Sequence, residues 1–268
     1  MRKPTAKEVA LTAVFAAVYI IATIPPWKLP VIGSPTHGGI EPSAVLGPVI
    51  GFILGPFLGF IAAGLGAFIG LILPPGFPSD PGGLLMPLSP AISAFVAGCL
   101  TSNSPFSKKI KGWMIGALTL FVLIIAWYIY FFGAWTPVYG PLSNKIASFI
   151  IAYPFLHFTG LMVPLVFKEK LAQLFRVLKK GKFSIPVVLT CWSALLSDHM
   201  TGNIIWITTR YSVIMPDAMS GLPTIYMYSI PVVLLERLTF TIVATIISVA
   251  LIPVLTSSKL LPRAVEET

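Results

Sequence analysis

The residues that could do chemistry in this chain are polar groups set inside long apolar runs. Ser197-Asp198-His199 and Asn203 fall in one such run, and Glu236-Arg237 fall in the last. Ionisable groups in that setting are costly, so they mark a solute path, a proton relay or a pairing that keeps charge neutral. His199 and Asn203 are four apart and share a helical face, with Asp198 about 100° round the helix. Two pairings are open: Asp198 with Arg237, or Glu236 with His199. Either could do no more than neutralise two charges. The other reading is a pocket for a small solute. The Arg237 fork suits a carboxylate or phosphate, and Asp198 and Asn203 suit donors on a heterocyclic ring. Glu41, which opens an earlier run, belongs to the candidate set, with Trp27, Trp206, Tyr211 and Tyr226 as aromatic walls. His157 lies nearer the middle of its own run.

Catalytic patterns are missing from the sequence. It holds no HExxH, no GxSxG and no GxxxxGK[ST]. Ser197 adjoins Asp198-His199, but neighbours on a helix point apart, so these three form no triad. The expectation is a protein that is not an enzyme, has no cofactor and cannot itself hydrolyse a nucleotide. Cys99 and Cys191 sit singly in apolar runs without metal-ligand spacing, which implies neither a metal site nor a disulfide.

The elements that must hold these residues follow from composition. The 268 residues are 56% apolar and 10% charged, with mean hydropathy +0.90. A soluble domain carries about 25% charged residues, so this chain cannot coat itself for water. Eight apolar runs can be drawn, at 6–24, 40–54, 57–73, 84–101, 113–132, 146–167, 185–207 and 231–255. Joining the second and third would give one helix of about 30 residues, or ~45 Å against a ~30 Å hydrocarbon core. Charge placement favours separating them at Gly55-Pro56. With eight runs, the clusters at 2–7, 108–111, 168–182 and 259–263 share one side and hold fourteen of the 18 cations. By the positive-inside rule that side is cytoplasmic, and both termini lie there. The expectation is an all-α integral membrane protein of one domain, a bundle of about eight transmembrane helices in the cell membrane.

The net charge of +9 comes from those short clusters, not from a basic face interleaved with aromatics, so nucleic acid is not an expected partner. Met1-Arg2-Lys3 before an apolar run could suggest a signal peptide, but no cleavage site follows and the run reads as an uncleaved first helix. Thr5-x-x-Glu8 is a capping box at its start. Segments 25–39 and 74–83, rich in Pro and Gly, read as stiff outer loops that could act as lids. Segment 168–183 reads as a basic amphipathic helix at the lipid headgroups. Small residues recur every fourth position. Gly47, Gly51, Gly55 and Gly59 read as packing inside the bundle, and Ala6, Ala10, Ala13 and Ala17 read as a face for another membrane protein.

Four stretches resemble the substrate-binding membrane subunits (S components) of energy-coupling factor transporters. They are TAKEVALTAVFAAVYIIAT near the N-terminus, EPSAVLGPVIGFILGPFLGFIAAGLGAFIGLIL, DHMTGNI, and SIPVVLLERLTFTIVATIISVALIPVL near the C-terminus. The resemblance covers about a third of the chain. It implies a subunit that captures a vitamin-like micronutrient near the outer face and docks on a transmembrane coupling protein with two cytoplasmic ATPases. Ala13 and Ala17 match the family's AxxxA docking stripe on the first helix, and Ala6/Ala10 extends it. The family's usual six helices imply that 113–167 is an inserted pair, between an N-terminal part at 1–112 and a basic segment with two last spans at 168–268. Arg2 stands where metal-uptake members have histidine, which points away from nickel or cobalt. Two other functions are compatible with the residues. One is a stand-alone proton-coupled secondary transporter using Asp198 or Glu236; the other is a membrane-embedded lipid-modifying enzyme with Asp198/His199 as acid–base groups.

Overall fold

Thr5 opens the first helix as its capping box requires. Its hydroxyl accepts from the Glu8 amide at 3.3 Å, and the Glu8 carboxylate accepts from the Thr5 amide at 2.8 Å. The structure, a computed structural model, describes residues 3–24, 29–30, 39–40, 42–73, 81–106, 109–139, 144–173, 185–211 and 222–261. Among these, the helices are α1 (Ala6–Thr23), α2 (Leu46–Ile72), α3 (Pro81–Leu85), α4 (Leu88–Thr101), α5 (Gly112–Tyr139), α6 (Asn144–Phe167), α7 (Ile185–Ile205) and α8 (Leu222–Ser257). A 3-10 turn at Pro42–Val45 leads into α2, and a π-helical turn at Trp206–Tyr211 extends α7. Five of the described segments are long and apolar enough to cross a bilayer: Ala6–Thr23, Pro42–Ile72, Gly82–Thr101, Gly112–Ile129 and Pro231–Ser257. The chain is a multi-pass helical membrane protein. Its outward surface agrees, since Ile21, Leu118, Phe121, Leu235 and Ile246 are all at least half exposed. In water such a surface would be an aggregation liability; in lipid it is the solvated face.

Helix α2 is two helices. Gly55 has φ 76° and ψ −177°, a backbone region that side chains other than glycine's scarcely reach. Pro56 follows, and its missing N–H costs nothing at the start of a new helical segment. The halves then turn back on each other. A Cβ placed on Gly59 would lie 3.1 Å from Gly51 Cα, whereas eight residues of straight helix would separate them by about 12 Å. The separation expected at Gly55-Pro56 is this hairpin. The glycine stripe is packed inside the bundle, as expected: α4 lies against both halves, with Gly51 at the Ala94 carbonyl and Gly98 on Pro56 at the bend. Eleven of the 14 residues of α4 are buried, which makes it the central helix.

Several boundaries differ from the sequence expectations. Residues Gly39–Ile40 pair with Leu29–Pro30 as a two-residue antiparallel bridge, Leu29 opposite Ile40, so the second run becomes helical only after the turn at 42–45. Pro81–Leu85 is a short helix that takes in 81–83, where a loop was expected. Helix α8 starts at Leu222, not Pro231, and carries Pro231 and Pro253 inside it. A proline in the sequence reads as a boundary, but within a membrane bundle the freed carbonyl can be satisfied by neighbours. Of the basic segment 168–183, only 168–173 lie among the described residues; Lys168 caps α6 with φ 45°, and Leu171 and Ala172 are buried.

The lysine-bearing ends meet. The Lys7 ammonium donates to the carbonyls of Lys259 and Leu261, which joins the start of α1 to the end of α8. Lys111 pairs with Glu169 at 3.6 Å, which joins the start of α5 to the end of α6. Helix α1 runs alongside the second half of α2, with Ala16 at Gly66 and Thr23 at Gly70. The α2 bend and the end of α4 therefore belong to the same end of the bundle.

Candidate functional site

Asp198 is placed by three helices. It sits on α7, 7% exposed, about 20 Å from the start of that helix at 1.5 Å per residue. From α4, the Ser89 hydroxyl reaches Asp198 Oδ1 at 2.6 Å and the Asp198 carbonyl at 2.7 Å. Ser89 is in the first turn of α4, at the end of the bundle remote from the lysines. From α8, Arg237 donates through Nη1 to Asp198 Oδ2 at 2.9 Å and reaches the Leu195 carbonyl at 3.5 Å. Both oxygens of Asp198 are thus engaged, as burial of a carboxylate demands.

Arg237 is 3% exposed and serves a second carboxylate. Its Nη2 lies 2.6 Å from Glu236 Oε1, but the contact is an ion pair without hydrogen-bond alignment. Glu236 Oε1 and Arg237 Nε have no hydrogen-bond partner although both atoms are fully buried. Phe240, one turn along α8, stacks on the guanidinium with 5.6 Å from Cζ to the ring centroid. Below Arg237, Thr241, Thr245 and Ser248 form a buried hydroxyl ladder on α8, each donating to the carbonyl four residues earlier at 2.7 Å.

A second cluster adjoins on α7. His199 Nδ1 lies 3.2 Å from His157 Nε2 on α6, so one of the two nitrogens must accept and both rings cannot be imidazolium. Trp127 on α5 meets His157 edge-on at 5.4 Å between ring centroids. Trp192 Nε1 donating to Thr159 at 2.9 Å and Ser193 donating to the Gly160 carbonyl at 2.8 Å fix the register of α6 against α7. Asn203 donates to the His199 carbonyl at 2.8 Å, and Trp206 opens the π-helical turn one helical turn beyond. Among the described residues, no three His, Cys, Asp or Glu side chains converge as a metal set.

Of the expected residues, Asp198, Glu236 and Arg237 come together, and of the two open pairings it is Asp198 with Arg237 that forms. His199 and Asn203 stand beside them on α7, and Trp206 lies further along. Glu41 and Trp27 lie outside the described residues. Ala6, Ala10, Ala13 and Ala17 are exposed on the side of α1 opposite to Glu8, Thr12, Phe15 and Tyr19, which face the bundle. Ser89, Trp127 and Phe240 had no place in the sequence reading, and His157 stood apart from the set. The expected inserted pair, 113–167, contributes both Trp127 and His157.

Fold and site together define a class: a membrane-embedded helical bundle with a charged network buried in one half. No family model, curated protein or solved structure matches the chain.

Proposed function

We propose that this protein is the solute-capturing membrane subunit of a multi-component importer. It takes a micronutrient-sized molecule from outside and relies on a coupling protein and ATPases for energy. The observation that carries this is the Ser89–Asp198–Arg237–Glu236 network. Three charged side chains lie within a membrane bundle, one hydroxyl from a different helix completes the set, and two polar atoms are left without partners. A pairing needed only for neutrality would require one acid for one base; here a second acid is brought in and incompletely satisfied. That is the condition of a site whose remaining valence is met by a ligand.

Placement supports the same reading. Counting the two halves of α2 separately gives eight crossings, with both ends of the chain and the lysine-rich connections on the cytoplasmic side. The network then faces the outer half of the membrane, at the end of the bundle where α4 begins. The alanine face of α1 is turned away from the bundle, where a coupling protein could approach closely through small side chains. The test is recovery of a bound small molecule by mass spectrometry from the detergent-solubilised protein. The reading expects a stoichiometric solute in the wild type that is lost from Asp198→Asn and Arg237→Gln, with both variants still monodisperse. Undiminished solute in both variants would remove the assignment.

The hydroxyl ladder below Arg237 favours a second reading. It gives Asp198 and Glu236 a line of buried polar groups toward the cytoplasmic end, which suits a stand-alone proton-coupled transporter. Uptake into vesicles driven by a proton gradient alone, without partners or ATP, would select it.

A further inference from the structure

The charge count of the buried network restricts what it can hold. Among the described residues, two carboxylates, Asp198 and Glu236, share one guanidinium, Arg237, an excess of one acid over base. The adjoining imidazoles of His157 and His199 are in mutual contact, so at most one of them can be cationic. Arg237 is the group that a carboxylate or phosphate ligand would need, yet Nη1 is bonded to Asp198 and Nη2 lies against Glu236. An anion would have to displace one of these acids in a site of low dielectric, where like charges repel strongly. The Arg237 face is not open either, because Phe240 covers one side.

The unpartnered atoms say what is wanted instead. Glu236 Oε1 has only the poorly aligned Nη2 of Arg237 beside it, at 2.6 Å, and Arg237 Nε–H is a donor without an acceptor; both atoms are buried. The side chain of Arg237 is 4% exposed and that of Glu236 10%. They belong to consecutive residues and to one ion pair, so their vacancies lie within one guanidinium of each other. A buried polar atom left unmet costs free energy and calls for an explanation.

We infer that the solute is a small organic cation whose nitrogen donates to Glu236 and whose neighbouring acceptor atom meets Arg237 Nε. This rests on the solute-site reading above and names the ligand's chemical class within it. A protonated nitrogen heterocycle or amidine with an adjacent ring nitrogen or oxygen has this edge. The cation balances the excess acid and gives Glu236 a well-aligned donor, while its acceptor atom satisfies Arg237. An aliphatic ammonium would supply the charge but leave Nε–H unmet.

The test uses three isosteric probes on the full chain in detergent: benzamidinium, benzamide and benzoate, with affinities measured by titration calorimetry. Benzamidinium is expected to bind most tightly and benzoate least. Glu236→Gln should weaken benzamidinium by about tenfold or more, since it removes a charge-assisted bond. The same variant should leave benzamide within about twofold, as a neutral partner loses no charge–charge term. Glu236→Asp, which keeps the charge, should preserve the ranking, so that a poorly folded Gln variant does not leave the outcome open. Benzoate binding best to the wild type, or a ranking unmoved by Glu236→Gln in a monodisperse variant, overturns the ligand class while leaving a solute site in place. Binding of none of the three overturns the ligand class, whereas the solute site itself falls only if the molecule recovered by mass spectrometry is undiminished in Asp198→Asn and Arg237→Gln.

Discussion

Arg237 is shared by two carboxylates of unequal standing, and that asymmetry sets what each substitution should do. Asp198 is bonded at both oxygens, so removing Arg237 leaves a buried carboxylate with one of its two partners gone. Arg237→Ala should lower stability by about 3–5 kcal/mol, read as a fall in the thermal midpoint in detergent. Arg237→Met combined with Asp198→Leu should cost much less than the single substitutions added together, because no unpaired charge remains. Additive losses would show that the two residues are not one unit. Ser89→Ala should cost about 1.5–3 kcal/mol, the range for a hydrogen bond to a charged group; no change would mean Asp198 does not depend on it. The buried acids and Arg237 were legible in the sequence because ionisable groups stand out in apolar runs. Ser89 was not, since a serine at the start of an apolar helix can as easily bond its own backbone. Neither was the contact of His157 with His199, which depends on how α6 slides against α7, a register fixed by Trp192 and Ser193.

At the scale of elements, the α2 hairpin rests on two glycines that fail in different ways when substituted. Gly55 has open space around it but a backbone angle that other residues avoid, so Gly55→Ala should cost about 1–3 kcal/mol from conformation alone. A Cβ at Gly98 would lie 2.3 Å from the Pro56 nitrogen, and backbone cannot rotate away. Gly98→Ala should therefore destabilise more than Gly55→Ala in the same thermal measurement; the reverse order would place the bend elsewhere. Gly-Pro between apolar runs made the break readable. The short helix at Pro81–Leu85 and the continuation of α8 through Pro231 were not readable, because proline and glycine signal a stop locally while packing decides whether the helix goes on. For α1 the outward alanine face makes a separate prediction: Ala13→Trp should leave solute binding intact and abolish energised uptake. Loss of binding as well would mean that the face supports the pocket and not a partner.

Among the described residues the whole molecule is organised by one asymmetry, with Lys7, Lys111, Lys168 and Lys259 at one end of the bundle and the buried acids toward the other. Contacts of Lys7 with the end of α8 and of Lys111 with Glu169 hold the basic ends together, so a charge pattern visible in the sequence corresponds to a geometric end of the fold. The lipid-facing surface of α8 should tolerate Ile246→Ala but not Ile246→Arg. A cation at the centre of a span costs about 2.5–3.5 kcal/mol on insertion scales, and the expected result is loss of membrane-inserted protein in a fractionation assay. Which way the bundle threads the membrane decides whether its charged network can meet a solute from outside. Cysteines introduced at Asn203, Lys111 and Glu169 report this directly under a membrane-impermeant maleimide, since Cys99 and Cys191 are fully buried and give little background. In intact cells Asn203→Cys should be labelled, with Lys111→Cys and Glu169→Cys labelled only after permeabilisation. Labelling of the last two from opposite sides, or of Asn203→Cys only from within, would contradict it.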